Sequence, residues 1–89
     1  MIYVWDEEKR QANIAKHGID FLIAEEFEWE TAIETIDDRY DYGEERWVAL
    51  GFIENLVCVL IYTLRSENTR IISLRKATKQ EKEYYEKQA

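Results

Sequence analysis

The residues of this chain best suited to chemistry are cations: Lys16, His17, Arg46, Arg65, Arg70, Arg75 and Lys76, with Glu45 and Tyr84 or Tyr85 as further proton carriers. Such a set can cleave a phosphodiester through the neighbouring 2′-hydroxyl without a metal. A base removes the hydroxyl proton, an acid protonates the leaving 5′-oxygen, and cations stabilise the charged phosphorane. Other chemistries lack their residues. One His and one Cys with no CxxC or HExxH spacing do not make a metal site, so no metal or other cofactor is expected. Three isolated glycines cannot form a phosphate loop, and nothing in the sequence sets a base beside Ser73 or Cys58. Each candidate also has a structural role open to it. His17 suits a helix C-terminus for dipole reasons, the arginines can pair with surface carboxylates, and the tyrosines can pack.

The cations concentrate where the chain changes character. Arg70 to Lys76 alternates as a strand, with Ile71, Ser73 and Arg75 expected on one face and Arg70, Ile72, Leu74 and Lys76 on the other. Thr78 and Glu81 then form a capping-box pattern that opens a helix. The net charge of −7 conceals an asymmetry: residues 1–45 hold four basic against fourteen acidic side chains, −10, and residues 46–89 hold eight against five, +3. The mean field therefore opposes binding to nucleic acid, direct binding to DNA included, and only the C-terminal half offers a local anion site. An acidic N-terminal half suits a basic partner.

Eighty-nine residues with 46% hydrophobic content make one globular domain, 1–89. The longest apolar run, Leu56 to Tyr62, is far shorter than the roughly 20 residues of a membrane span. The N-terminus lacks the basic and apolar segments of a secretion signal. A lone Cys58 fits a reducing, cytoplasmic setting and a buried position. In chain order, Ile2 to Trp5 reads as a strand. Asp6 caps a helix from Glu7 to His17 that Gly18 ends, with a thin stripe of Ala12 and Ala15. Asp20 caps a second helix from Phe21 to about Trp29. Strands follow from Thr31, over Glu45–Ile53, Leu56–Arg65 and Arg70–Lys76, separated by the aromatic loop 39–43 and the turns Glu54-Asn55 and 66–69. The expected fold is α+β, in the order β-α-α-β-β-β-β-α: an antiparallel sheet with two N-terminal helices on one face and a C-terminal helix.

Three motifs carry a resemblance: Trp5-Asp6-x-x-Lys9-x-x-x-Asn13-x-x-Lys16-His17-Gly18-Ile19-x-Phe21-x-x-Ala24, Tyr42-Gly43-Glu44-Glu45-Arg46, and Arg70-Ile71-Ile72-Ser73-x-Arg75-Lys76-Ala77-Thr78-x-x-Glu81-x-x-x-Tyr85. The chain resembles the BrnT family of bacterial toxins over nearly its whole length. The resemblance implies a RelE-like fold, ribonuclease activity that arrests translation, and neutralisation by a BrnA-type antitoxin whose DNA-binding domain lets the complex repress its own promoter. It also implies Lys16, His17, Glu45, Arg46, Arg70, Arg75 and Lys76 as active-site contributors. The alternative from another class is a non-catalytic module that holds a DNA-binding protein partner.

Overall fold

A computed structural model describes residues 1–39 and 41–88. Tyr40, within the aromatic loop read from the sequence, lies outside them. The elements are β1 (Ile2–Val4), α1 (Glu7–His17), two 3₁₀ segments (Phe21–Glu26 and Trp29–Thr31), β2 (Ile33–Asp37), β3 (Arg46–Ile53), β4 (Leu56–Arg65), β5 (Asn68–Lys76) and α2 (Lys79–Gln88). Local chemistry sets most of their ends. The Asp6 carboxylate accepts the Glu8 and Lys9 N–H groups at 2.8 and 3.3 Å. Gly18 closes α1 in the left-handed region at φ 71°, donating its N–H to the Ile14 carbonyl at 2.8 Å. Glu54 and Ser66 take positive φ at the two tight hairpin turns. Thr78 and Glu81 exchange side-chain-to-backbone bonds of 2.8 and 3.1 Å at the start of α2.

The sheet order is β1-β5-β4-β3-β2. Strands β2 to β5 form the antiparallel meander, but β1 runs parallel to β5, so the sheet is mixed and not wholly antiparallel. A helix follows β1 directly, so no hairpin is available to it; its partner is the edge that the meander leaves open at β5. The second predicted helix is also corrected. Its hydrogen bonds span three residues, from Ile23 N to Asp20 O and from Phe27 N to Ala24 O. Its buried side chains, Phe21, Ala24 and Phe27, recur every third residue, the 3₁₀ period. Phe27 then turns extended and bridges Ile53, with the Glu28 N–H donating to the Phe52 carbonyl, which ends the helical path.

The main core lies between the 3₁₀ segments and one sheet face, built from Phe21, Ala24, Phe27, Ala49, Leu60, Tyr62, Ile71 and Leu74. Edge-on aromatic contacts, Phe27 to Trp29 at 4.8 Å and Trp29 to Tyr62 at 5.3 Å, carry it toward β1. Phe27 lies so close over Gly51 that a Cβ there would stand 2.7 Å from its ring. The opposite sheet face is covered at one end by α2. Tyr85, 1% exposed, packs against Phe52 and donates its hydroxyl to the Thr31 carbonyl at 3.0 Å. The rest of that face, toward Thr63 and Arg70, lies beyond α2.

Candidate active site

The strand carrying the cations does not alternate as its sequence suggests. Tyr62 pairs with Ile71 and Ile61 with Ser73, leaving Ile72 as an extra residue in β5. Ile71 and Leu74 can then both enter the core, where each is fully buried. The same slip corrects the division of the cations. Arg70 pairs with Thr63 and Arg75 with Val59, two β4 residues four apart and therefore on one face. Ser73, paired with Ile61, shares that face between them. The two arginines thus stand together on the face away from the main core, with Cα positions ~13 Å apart by strand rise. Lys76, opposite Cys58, falls on the other face. Its charge acts there on the Cys58 thiol, whose pKa burial raises.

Arg75 is the most fully fixed of these side chains. It makes a two-pronged ion pair with Glu81 of α2, Nη1 to Oε1 at 2.7 Å and Nη2 to Oε2 at 2.9 Å, and Nη1 also reaches the Lys76 carbonyl at 3.3 Å. Of the guanidinium's donors, Nε–H and the second Nη2–H face the other way, as a further fork of the kind that fits a phosphate. The pair holds the Glu81 carboxyl down at about 2, mainly through the Arg75 hydrogen bond. Glu81 belongs to the capping box as well, so one carboxylate joins the helix start to the arginine. Sequence reading found its backbone role; its role toward Arg75 depends on the strand and helix meeting in space.

His17 and Lys16 come from the end of α1, which lies along β5 beyond the reach of β1. The inner stripe of α1 is polar and not the thin alanine stripe expected. Its one buried residue is Asn13, whose carboxamide donates to the Leu74 and Ile19 carbonyls at 2.7 and 2.9 Å and accepts the Leu74 N–H at 3.1 Å. Asn13 thus pairs with Leu74 as a neighbouring strand would. Between α1 and β5 lies a cleft of about 220 Å³, lined by Lys9, Ala12, Asn13, Lys16, His17, Ile72 and Ser73. Ser73 lines this cleft and also stands between Arg70 and Arg75, so the cleft joins the arginine face. Burial lowers the His17 pKa, and the charges of Lys16 and Arg75 lower it further.

Arg46 begins β3 opposite Asp37, with its guanidinium carbon 4.0 Å over the Tyr42 ring. Its Nε is buried with no hydrogen-bond partner among the described residues. Arg39 forks onto the buried Asp37 carboxylate at 2.8 and 3.0 Å, holding that carboxyl at about 2. The Arg39 charge is also felt at Arg75. Glu45 is exposed, and its backbone carbonyl accepts the Thr63 hydroxyl at 2.7 Å. It stands one residue before β3, outside the paired part of the sheet. Arg65 pairs with Glu44 at 3.1 Å, and Tyr84 is exposed on α2 while Tyr85 is core. Lys16 and His17 therefore share one cleft with Ser73, Arg75 is near enough for its charge to act on His17, Arg70 stands on the Arg75 face of the sheet, and Lys76 falls on the other face.

Comparison with known families bears on what such an arrangement does. A family model described as the ribonuclease toxin, BrnT, of type II toxin–antitoxin systems matches residues 5–81. The chain belongs to the BrnT family. No curated protein matches it. Membership gives the chain the role of a ribonuclease toxin, with RNA as the class of substrate and an antitoxin as partner. The matched span takes in both ends of the site, the α1 residues and the strand that feeds the capping box. Among the described residues no helix is long and apolar enough to cross a membrane.

Proposed function

We propose that the chain is a metal-independent endoribonuclease that cuts RNA, blocks translation in the cytoplasm and is neutralised by a BrnA-type antitoxin, with its reaction centre between His17 and the Arg70–Arg75 face. One observation carries the reading. In a chain of net charge −7, Lys16, His17 and Ser73 line one cleft, and Ser73 stands on the sheet face that also carries Arg70 and Arg75. The charge there is arginine and lysine charge, suited to the phosphorane's oxygens. Among the described residues no group of His, Cys, Asp or Glu could hold a metal ion.

In this mechanism the free fork of Arg75, with Arg70, holds the scissile phosphate. His17, kept neutral near pH 7 by its lowered pKa, accepts the 2′-hydroxyl proton, and Lys16 on the same rim protonates the leaving 5′-oxygen. Glu45, Arg46 and Lys76 act outside this step, with Arg46 supporting the arginine face from β3. Purified protein should cleave RNA in excess EDTA and leave 2′,3′-cyclic phosphate ends, scored by end-group chromatography. Loss of cleavage in EDTA would sink the mechanism.

The pH dependence follows from the same histidine. Its folded pKa lies below the unfolded 6.5, so between those values the unfolded chain binds more protons and the native state loses stability as pH falls. The acidic limb of kcat/KM should accordingly lie below pH 6.5, and His17→Ala should remove that limb together with most of the rate. An acidic limb unchanged in His17→Ala would assign the base elsewhere.

A further inference from the structure

Helix α1 uses its cations in two ways. Arg10 is fully engaged, forking onto Asp20 at 2.8 Å through both nitrogens and reaching Glu7 at 2.7 Å. Lys9 and Lys16 are different: among the described residues neither has an ion pair or a side-chain hydrogen bond. Among the described residues every ion pair is made by an arginine, so what sets these two lysines apart is where they stand. Both lysines line the cleft between α1 and β5. Their spacing puts them on one helix stripe, Lys9, Asn13, Lys16 and His17 at i, i+4, i+7 and i+8. That stripe would ordinarily be apolar and buried; here it holds one buried residue, an asparagine, together with two lysines and a histidine.

A helix that turns unpaired lysines toward a cleft, when carboxylates surround it, is arranged for an anion that arrives from outside. The cleft opens through Ser73 onto the arginine face, so the anion is part of the same molecule that reaches Arg70 and Arg75. Lys9 and Lys16 are two turns apart, ~10 Å along the axis, so a strand laid along the cleft can meet each lysine with a different phosphate. We infer that the cleft between α1 and the bulged edge of β5 binds the RNA backbone beside the cut, with Lys9 contacting a phosphate that flanks the scissile one. The substrate then enters along α1 and crosses the β5 edge at Ser73 before reaching the arginines. Lys9 contributes affinity and register, and no proton transfer.

The inference rests on the ribonuclease reading only for which phosphate is cut, so binding and cleavage are measured separately. The binding probe is a short fluorescent 2′-O-methyl oligoribonucleotide, which lacks the nucleophile, titrated by anisotropy over a range of salt. Lys9→Gln should weaken binding about five- to tenfold and reduce the slope of log K against log salt by ~0.7, the single-strand value for one phosphate contact. Lys9→Glu should weaken it further, and Lys87→Gln at the far end of α2 should change neither quantity. Thermal melts establish that the variants are folded; Lys9 is exposed, and its Asp6 cap bond is through the backbone. Unchanged affinity and slope in both Lys9 variants overturn the inference, even if the wild type cleaves RNA. Wild-type binding with the expected Lys9 effect but without cleavage upholds the site and refutes the ribonuclease reading. Failure of the wild type to bind the probe at low salt overturns both.

Discussion

Arg75→Ala should lower RNA cleavage by a factor of about 10² to 10³, the usual loss when one preorganised donor to a developing anion is removed. Glu81 grips the end of the guanidinium, so the remaining Nε and Nη2 donors are held in place before substrate arrives. Arg75→Lys keeps the charge but loses both forks, and should recover only a small part of the rate. The stability effect should be modest. Both partners are near 30% exposed, so the pair is worth about 1 kcal/mol after allowance for solvent. Glu81 keeps its Thr78 cap bond in the variant.

The pH behaviour separates these two roles. Arg75 depresses the Glu81 carboxyl from 4.5 to about 2, so the pair's stabilisation is complete above about pH 4.5 and is lost as pH falls toward 2. In Arg75→Ala that acid-side loss should shrink, as followed by melting temperature from pH 6 down to 3. A variant with full activity would remove Arg75 from the reaction.

Asn13→Ala should be the most destabilising single change in α1. Its carboxamide satisfies the Leu74 N–H and the Leu74 and Ile19 carbonyls, and an alanine leaves all three buried groups unmet. At about 1 kcal/mol each the loss is about 3 kcal/mol, and for a domain of this size the melting temperature should fall by roughly 15 °C. Asn13→Asp should not rescue it near neutral pH, because a carboxylate cannot donate to either carbonyl. Acid should favour this variant, since a protonated carboxyl regains one donor. A drop of only a few degrees in Asn13→Ala would mean that α1 is held by something other than this amide.

The parts of the fold that were legible in the sequence are those decided locally. Asp6, Gly18 and the Thr78–Glu81 box state where helices begin and end, and the Glu54-Asn55 hairpin and the doubly apolar β4 follow from short-range pattern. The parts that were not legible depend on distant partners. Alternation in β5 breaks at Ile72 because β4 supplies core positions for both Ile71 and Leu74, and the unpaired sequence of β5 does not contain that register. The spacing of Phe21, Ala24 and Phe27 did carry the 3₁₀ period, but fits an amphipathic α-helix nearly as well over so few turns. At the site, the residue types were legible and their grouping was not. Arg70 and Arg75 share a face only because of the bulge, and Glu81 reaches Arg75 only because α2 folds back toward the sheet.

The strand-like pairing of Asn13 with Leu74 also governs how this protein meets other chains. An open sheet edge is a template for adding a strand, whether from a partner or from another copy in an aggregate. Past Arg70 the β5 edge would be such a template, and the carboxamide occupies its donor and acceptor. The remaining edges are the three residues of β1 and the five of β2, the latter carrying Glu34 and Asp37. At β5 past Arg70, strand addition would have to displace the Asn13 carboxamide, which already holds the Leu74 N–H and carbonyl.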